Sequence, residues 1–172
     1  MEREILTGGD SLFTHPAVKT FYKELIDTWQ SEKPIALFMA CTMHKPYSNS
    51  MMHKKVQGLI KKHDYEESIQ QYIIGEPLIA VPREWEKKYP AANYEFPPEE
   101  MTKKGRKIFV NRLKIFIKKI SKMHDHFLIF TPNHHRQIIL ECADSFINPV
   151  IIPYNIFQLP KLLTAIQETI DD

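Results

Sequence analysis

The chain has 172 residues, of which 43% are hydrophobic and 26% charged, a composition typical of one globular domain rather than a disordered or fibrous protein. Its net charge of +2 at pH 7 does not by itself indicate a nucleic-acid-binding protein, and its two cysteines exclude a disulfide framework and fit a reducing cytoplasm. No apolar run approaches the roughly 20 residues of a membrane span, and no secretory leader is recognisable, so we expect a cytoplasmic protein without membrane association.

Helical and extended patterns alternate along the chain. In chain order, they predict a helix at 15–32, a strand at 35–40, a helix at 51–63, a strand at 69–74, a short extended stretch at 78–81, an ordered proline-rich excursion at 87–98, a helix at 99–122, a strand at 126–131, a helix at 135–146, a strand at 149–154 and a helix at 157–170. The strands are unbroken apolar runs, which are typical of strands covered on both faces. We therefore predict one α/β domain over 1–172, with a mostly parallel sheet of about four strands and helices on both faces.

Chemically active residues are densest just after the first predicted strand, where ligands bind in a parallel sheet. Cys41 ends this strand, and Lys45, Tyr47, Ser50 and His53 follow it into the next helix. A thiol near a lysine and a helix N-terminus is expected to have a lowered pKa and to act as a nucleophile. The residue types also allow a second interpretation, with a small buried cysteine, a solvated lysine and a serine that only caps the helix.

The spacing from Cys41 to His53, C-x3-K-P-Y-x2-S-x2-H, resembles the signature of the archaeosine synthase catalytic domain, in the tRNA-guanine transglycosylase lineage. A second block, PLIAVPRE at 77–84 followed by YPAANYE at 89–95, resembles the family's PLGLVPRELE and YPAAHYD. A weaker third block is DSL with a following HP at 10–16. Together these blocks follow the family's order over most of residues 10–96.

The chain departs from the family pattern at three positions. Ala40 stands where the family has proline before the cysteine, while Asn93 and Glu95 stand where it tends to have histidine and aspartate. If that histidine acts as a catalytic acid or base in the family, Asn93 cannot perform the same role. The chain also ends without the PUA-type tRNA-binding module of full-length members, so the resemblance covers the catalytic domain only.

The resemblance implies a uracil-DNA-glycosylase-like fold and a reaction on tRNA. The implied reaction transfers an amine, free lysine in that family, to the nitrile of 7-cyano-7-deazaguanine in archaeal tRNA. The implied partners are tRNA, lysine or another amine donor, and either a separately encoded PUA-domain protein or a radical-SAM protein. In that family, a radical-SAM partner or the enzyme's own later step completes archaeosine. No cofactor is implied.

A covalent mechanism follows from the resemblance as a hypothesis. Cys41 adds to the nitrile carbon, and the lysine amine then displaces sulfur from the thioimidate. Lys45 or His53 would handle protons, while Tyr47 and Ser50 would orient the base or the donor. The alternative is direct attack by the amine, with the motif only binding lysine or the nitrile.

Substrate contacts are expected from the second block and from the proline of the first. Arg83 and Glu84 suit a zwitterionic amino acid or a phosphate, although a surface ion pair is the alternative for both. The remaining candidates are Pro46, Asn93, Tyr94 and Glu95. Tyr94 either stacks on a base or packs against the domain.

The helix predicted at 99–122 carries nine positive charges between residues 103 and 122 without an acid among them. Such a face is typical of contact with a phosphate backbone. The candidate tRNA contacts are Lys103, Lys104, Lys107, Lys114 and Lys118. The alternative is a solvated helix whose charge is balanced by acids elsewhere in the chain.

We expect no metal site. Cys41-x2-His44 lacks a second ligand pair at a matching interval, and the side chains of the adjacent His134 and His135 should diverge. Two other functions stay open: a non-catalytic tRNA-binding or scaffold subunit of a tRNA-modifying complex, and a glycosylase-like base-binding enzyme. An enzyme of the archaeosine synthase type requires a reactive Cys41, whereas a scaffold does not.

Overall fold

The computed structural model describes residues 3–143 and 146–171. The strands within this part are β1 (Leu6–Thr7), β2 (Ile35–Ala40), β3 (Ile69–Gly75), β4 (Ile79–Pro82), β5 (Tyr94–Glu95), β6 (His126–Ile129) and β7 (Val150–Ile151). The helices are α1 (Pro16–Thr28), α2 (Met51–Lys62), α3 (Lys103–Ile120), α4 (Asn133–Ala143) and α5 (Leu159–Ile170). In the part of the chain that is described, no helix combines the length and apolar character needed to cross a membrane.

The main sheet has five strands in the order β4-β3-β2-β6-β7. All neighbours are parallel except β3 and β4, which form an antiparallel pair. The prediction of an α/β domain with a mostly parallel sheet is confirmed. The sheet gains a fifth strand because the chain reverses after β3, and the stretch predicted at 78–81 pairs back as β4. The short strands β1 and β5 form a separate parallel pair.

Helices cover both faces of the sheet, and every residue of β2 and β3 is buried. On β2, Ala36 and Phe38 pack into the apolar cluster that contains buried residues of α1, α3 and α4. Their neighbours Ile35, Leu37 and Met39 pack into the cluster that contains buried residues of α2 and α5. Because both faces are covered, the strand is apolar at every position instead of alternating.

Side-chain caps lie at the starts of α1 and α3. His15 Nδ1 accepts a hydrogen bond from the backbone of Ala17 at the start of α1, and Thr102 caps α3 in the same way. The helix predicted at 99–122 therefore begins later than expected, after a 3-10 turn over residues 98–100. The helix predicted at 135–146 is observed as α4, and its predicted residues 144 and 145 lie outside the described residues.

An aromatic cluster joins α1 to the sheet on the face that carries α3. The ring centroids of Trp29 and Trp85 are 5.3 Å apart, and Trp29 Nε1 donates to the hydroxyl of Tyr72 at 3.1 Å. That hydroxyl donates to Nε2 of the buried His124 at 2.6 Å, and His124 Nδ1 donates to the Lys33 carbonyl. Both nitrogens of His124 are thereby used inside the fold, and this histidine has a structural role.

Candidate active site

Cys41 is the first residue beyond β2, and its position follows from the pairing of β2 with β3. Its backbone N–H donates to the Ile74 carbonyl at 3.0 Å, which places its side chain against Gly75. A Cβ atom added at Gly75 would lie 2.6 Å from the Cys41 Cβ and would also meet the sulfur. The missing side chain at Gly75 therefore leaves the space that the thiol occupies.

A buried carboxylate and two histidines surround this thiol. Glu76 Oε1 lies 3.7 Å from Cys41 Sγ and 3.2 Å from His135 Nε2, and the same nitrogen is 3.8 Å from the sulfur. His134 Nε2 lies 3.3 Å from the other carboxylate oxygen. The expectation that the side chains of His134 and His135 diverge is wrong. Both residues lie at the start of α4, and both rings reach the carboxylate of Glu76. Neither Glu76 nor His135 is among the site residues predicted from the sequence. Their positions are a usable signal, because Glu76 directly follows β3 and His135 follows the loop after β6, both at the carboxyl edge of the sheet.

The pKa of the Cys41 thiol is raised to about 12, so the expectation of a lowered pKa is wrong. Burial is the main cause and the negative charge of Glu76 is the next, and the nearby Lys45 ammonium only partly offsets them. Burial also acts to raise the pKa of Glu76, but hydrogen bonds from His134 and His135 outweigh it and lower that pKa to about 2. At neutral pH the resting pair is therefore a thiol beside a carboxylate.

Cys41 opens into a cavity of about 330 Å³. One wall consists of Cys41, Thr42, Met43 and Lys45, and the opposite wall is the segment 94–99. Thus the structure brings together Cys41 and Lys45 from the first sequence block with Tyr94 and Glu95 from the second. These four predicted site residues line the same cavity.

Two tyrosines support the Lys45 side chain at this cavity. Its ammonium lies 4.5 Å from the ring centroid of Tyr94 and 5.5 Å from that of Tyr47, and it donates to the Thr42 carbonyl. The two hydroxyls of the tyrosines are 2.7 Å apart, and both rings are buried. Burial lowers the pKa of Lys45. Tyr47 and Tyr94 therefore position a lysine, and Pro46 begins the turn that carries Tyr47.

The last residues of the first block form a buried polar network outside the cavity lining. Ser50 caps α2 by accepting a hydrogen bond from the His53 backbone, as the second interpretation of the motif proposed. His53 Nδ1 accepts from Arg83 at 2.8 Å, and Nε2 therefore carries the hydrogen and donates to the Ala40 carbonyl at 2.9 Å. With both nitrogens engaged, His53 has no ring nitrogen free for proton transfer at the thiol.

We expect this histidine to make the protein less stable in mild acid. Burial, followed by the Arg83 charge, lowers the pKa of His53 from 6.5 to about 4. The unfolded chain thus binds the proton first, and stability falls as pH decreases from about 6.5 towards 4, by roughly 2 to 3 kcal/mol. Urea denaturation between pH 7 and pH 4.5 measures this loss. His53→Gln should lose clearly less over that interval, and parallel curves for the two proteins would contradict the assignment.

The other predicted substrate contacts lie away from Cys41. The Arg83 guanidinium donates to Gln71 and His53 and pairs with Glu86 at 3.5 Å, while Glu84 accepts from Gln70. Arg83 and Glu84 line a separate cavity of about 250 Å³, and Asn93 lines another, of about 580 Å³, against α1. The structure does not bring these three residues into the cavity of the thiol.

The positively charged side chains of α3 fall into two groups: some bond to other parts of the fold, and others are exposed to solvent. Arg106 pairs with Glu141 at 2.7 Å, Arg112 donates to the Phe13 carbonyl, and Lys119 donates to backbone carbonyls of α1. The five lysines predicted to contact tRNA are all exposed, and none forms an ion pair with a residue in 3–143 or 146–171: Lys103, Lys104, Lys107, Lys114 and Lys118. We call these five side chains the lysine stripe.

Comparisons with known proteins identify relatives of this chain. An archaeosine synthase of Methanocaldococcus jannaschii is 29% identical over 127 residues, which are 72% of this chain and 21% of that protein. The archaeosine synthase subunit alpha of Thermoplasma acidophilum is 35% identical over 79 residues, 46% of this chain and 15% of that protein. The chain therefore spans about a fifth or less of the length of these relatives.

A solved structure shares the fold. The crystal structure of AF0587, a protein of unknown function, matches 88% of this chain and 50% of its own with a TM-score of 0.65 and 17% identity. At the sequence level, a family described as a domain of unknown function, DUF5591, matches residues 18–155. Because this match covers most of the chain, the chain belongs to the DUF5591 family and is an archaeosine synthase-like domain.

Proposed function

We propose that this chain is the catalytic domain of an archaeal tRNA-modifying transferase. It would transfer an amine, free lysine, to the nitrile of 7-cyano-7-deazaguanine in tRNA during archaeosine synthesis, in the cytoplasm. The names of the relatives support a role in archaeosine formation. The observation that carries the proposal is the Cys41 thiol at a cavity that also presents Lys45 and Glu95. The proposal includes the uracil-DNA-glycosylase-like form of the α/β fold.

The proposed reaction has two bond-forming steps. The Cys41 sulfur attacks the nitrile carbon, so that a carbon–sulfur bond forms, one carbon–nitrogen π bond breaks and the nitrile nitrogen takes up a proton. The amine nitrogen, as the free base, then attacks the same carbon and gives up a proton, the carbon–sulfur bond breaks, and the leaving sulfur takes up a proton so that the thiol is restored. The product is an amidine that joins the base to the donor.

The thiol must lose its proton as it attacks, because its raised pKa keeps it protonated at rest. Glu76 Oε1, at 3.7 Å from the sulfur, is the nearest charged acceptor. Because hydrogen bonds from His134 and His135 lower the pKa of Glu76 to about 2, it is a weak base, and the proton would move to it only as the carbon–sulfur bond forms. Lys45, on the same wall as the thiol, would deliver a proton to the nitrile nitrogen. This assignment replaces His53 by Glu76 as the proton acceptor.

The charges at the cavity suit a free amino acid as donor. Lysine carries a carboxylate and two ammonium groups. At the cavity, Lys45 would bind the carboxylate and Glu95 would bind one ammonium group. Because the pKa of Lys45 is lowered by burial, a bound carboxylate would also favour its charged form. Arg83 and Glu84, which lie elsewhere, are not part of this proposal.

The lysine stripe is proposed to contact the tRNA backbone. We expect Lys114→Glu combined with Lys118→Glu to weaken tRNA binding and to reduce the slope of log affinity against log salt by about 1 for each lost phosphate contact. Filter binding at several salt concentrations measures both quantities. The matched control is Lys61→Glu with Lys62→Glu, at the end of α2 on the opposite face of the sheet. Equal losses in the two double variants would refute a specific role of α3.

The proposed function is tested by incubating the protein with lysine and tRNA that carries 7-cyano-7-deazaguanine. Mass spectrometry of the nucleosides should show the base increased by the mass of lysine, and tRNA with guanine at that position is the control. A separate PUA-domain protein or a radical-SAM partner is added in a second series. No adduct in either series, together with salt-sensitive tRNA binding, would overturn the enzyme and favour the scaffold subunit.

A further inference from the structure

Three side chains with different metal-ligand atoms converge at the carboxyl edge of the sheet. Cys41 follows β2, Glu76 follows β3 and His135 lies in the first turn of α4, which follows β6. These strands are neighbours in the sheet, with β2 between the other two. One ligand atom from each side chain lies within 4.8 Å of the others. The topology thus gathers sulfur, oxygen and nitrogen donors from distant parts of the sequence.

The distances between these atoms match a tetrahedral site. Zinc binds cysteine sulfur at about 2.3 Å and histidine nitrogen or carboxylate oxygen at about 2.0 to 2.2 Å, so its neighbouring ligand atoms lie about 3.3 to 3.6 Å apart. The sulfur is 3.7 Å from the Glu76 oxygen and 3.8 Å from the His135 nitrogen, and the oxygen and nitrogen are 3.2 Å apart. Each distance is within a few tenths of an ångström of the tetrahedral value.

We propose that Cys41, Glu76 and His135 form a binding site for a divalent transition metal of the zinc class. The mixed sulfur, nitrogen and oxygen set suits zinc or cobalt, whereas magnesium and calcium prefer oxygen ligands alone. Three protein ligands leave a fourth position open, as in catalytic rather than structural zinc sites. When the metal binds, a sulfur–metal bond forms and the thiol proton leaves to solvent, while the hydrogen that His135 Nε2 donates to Glu76 moves to Nδ1 so that Nε2 can bind the metal.

The surroundings of Glu76 resemble the outer shell of a metal site. Its side chain is fully buried, and His134 Nε2 holds its second oxygen at 3.3 Å. This contact turns the first oxygen towards the sulfur and the His135 nitrogen. Hydrogen bonds of this kind orient metal-binding carboxylates and typically contribute 10- to 100-fold to metal affinity. His134 would therefore be a positioning residue for the metal ligand Glu76.

The site does not depend on the proposed transferase activity. A sulfur bound to a metal is not available to attack a nitrile, so the two uses of Cys41 exclude each other at any one time. If both proposals hold, added zinc inhibits the transfer. If the transferase proposal fails, metal binding is still measurable in the protein alone.

The test is a titration of the full chain, freed of metal by dialysis against a chelator, with Co²⁺. We expect one ion per chain, with a thiolate-to-cobalt charge-transfer band in the near ultraviolet and displacement by zinc. Cys41→Ser should lose the band, while Glu76→Gln and His135→Ala should weaken binding at least tenfold. His134→Ala should weaken it 10- to 100-fold and keep the band. Near-ultraviolet circular dichroism confirms that each variant is folded.

Two variants are matched controls. His44→Ala removes an exposed histidine that has zinc-like spacing from Cys41 in sequence but is absent from the cluster. Cys142→Ser removes the buried thiol of α4, which donates to the Val110 carbonyl. Both should keep the band and the affinity. A folded wild-type protein without the band, or a Cys41→Ser variant that retains it, would overturn the proposal.

Discussion

Replacing Cys41 with alanine is expected to reduce lysine transfer by roughly a thousandfold or more, equivalent to about 4 kcal/mol of barrier. The reason is that the proposed carbon–sulfur intermediate cannot form without the thiol. The substitution also removes the contacts of the sulfur with Glu76 and His135, but the contacts between Glu76 and the two histidines do not involve Cys41. The measurement is the single-turnover rate of adduct formation on the modified tRNA.

The matched control for this prediction is Cys142→Ala. Cys142 is the second cysteine of the chain, is buried on α4 and is not among the residues that line the Cys41 cavity. Its removal should leave the transfer rate within about twofold. A Cys41→Ala rate within about tenfold of the wild type would instead support direct attack by the amine, with the motif only binding substrate.

Adding one methyl group at Gly75 is expected to damage both stability and transfer. In Gly75→Ala the new carbon would lie 2.6 Å from the Cys41 Cβ, so the strand end or the thiol must move. Overpacking of this kind costs about 1 to 3 kcal/mol of unfolding free energy. Displacement of a reacting atom by about 1 Å costs roughly a hundredfold in rate. Urea denaturation and single-turnover transfer measure the two effects separately.

Gly58→Ala provides the contrast within the same protein. Gly58 lies on the exposed face of α2, and a Cβ there would meet nothing within 4 Å. Because alanine is the better helix former, this variant should be about 0.5 to 1 kcal/mol more stable and equally active. If Gly75→Ala behaved like Gly58→Ala, the close packing of the thiol against β3 would be refuted.

The main elements of the fold could be predicted from local patterns, because apolar runs and caps are local properties. The antiparallel pairing of β4 with β3 could not, since it depends on how the chain turns after Gly75. The pairing of β1 with β5 joins two-residue segments almost 90 residues apart, and short segments carry no pattern of their own. These features arise from tertiary contacts that a single sequence does not display.

The candidate site, like the fold, could be predicted from the sequence only in part. The motif identified Cys41 and Lys45, but its spacing could not tell a residue that faces the cavity from one that supports it, such as His53. In the sequence, Glu76 lies between a predicted strand and Pro77, where one carboxylate is typical of a turn and does not indicate a site. Its burial at the edge of a parallel sheet becomes evident only when β2 and β6 lie beside β3.

The two tryptophans of the chain lie in contact with each other, away from the Cys41 cavity. Fluorescence excited at the indole rings therefore comes from one place, the junction of α1 with β3 through Tyr72. An edge-to-face pair of this kind also gives a circular dichroism signal that vanishes when the rings separate. The protein thus contains an intrinsic optical reporter of folding, and substitutions at the thiol, the carboxylate or the histidines leave its chromophores intact.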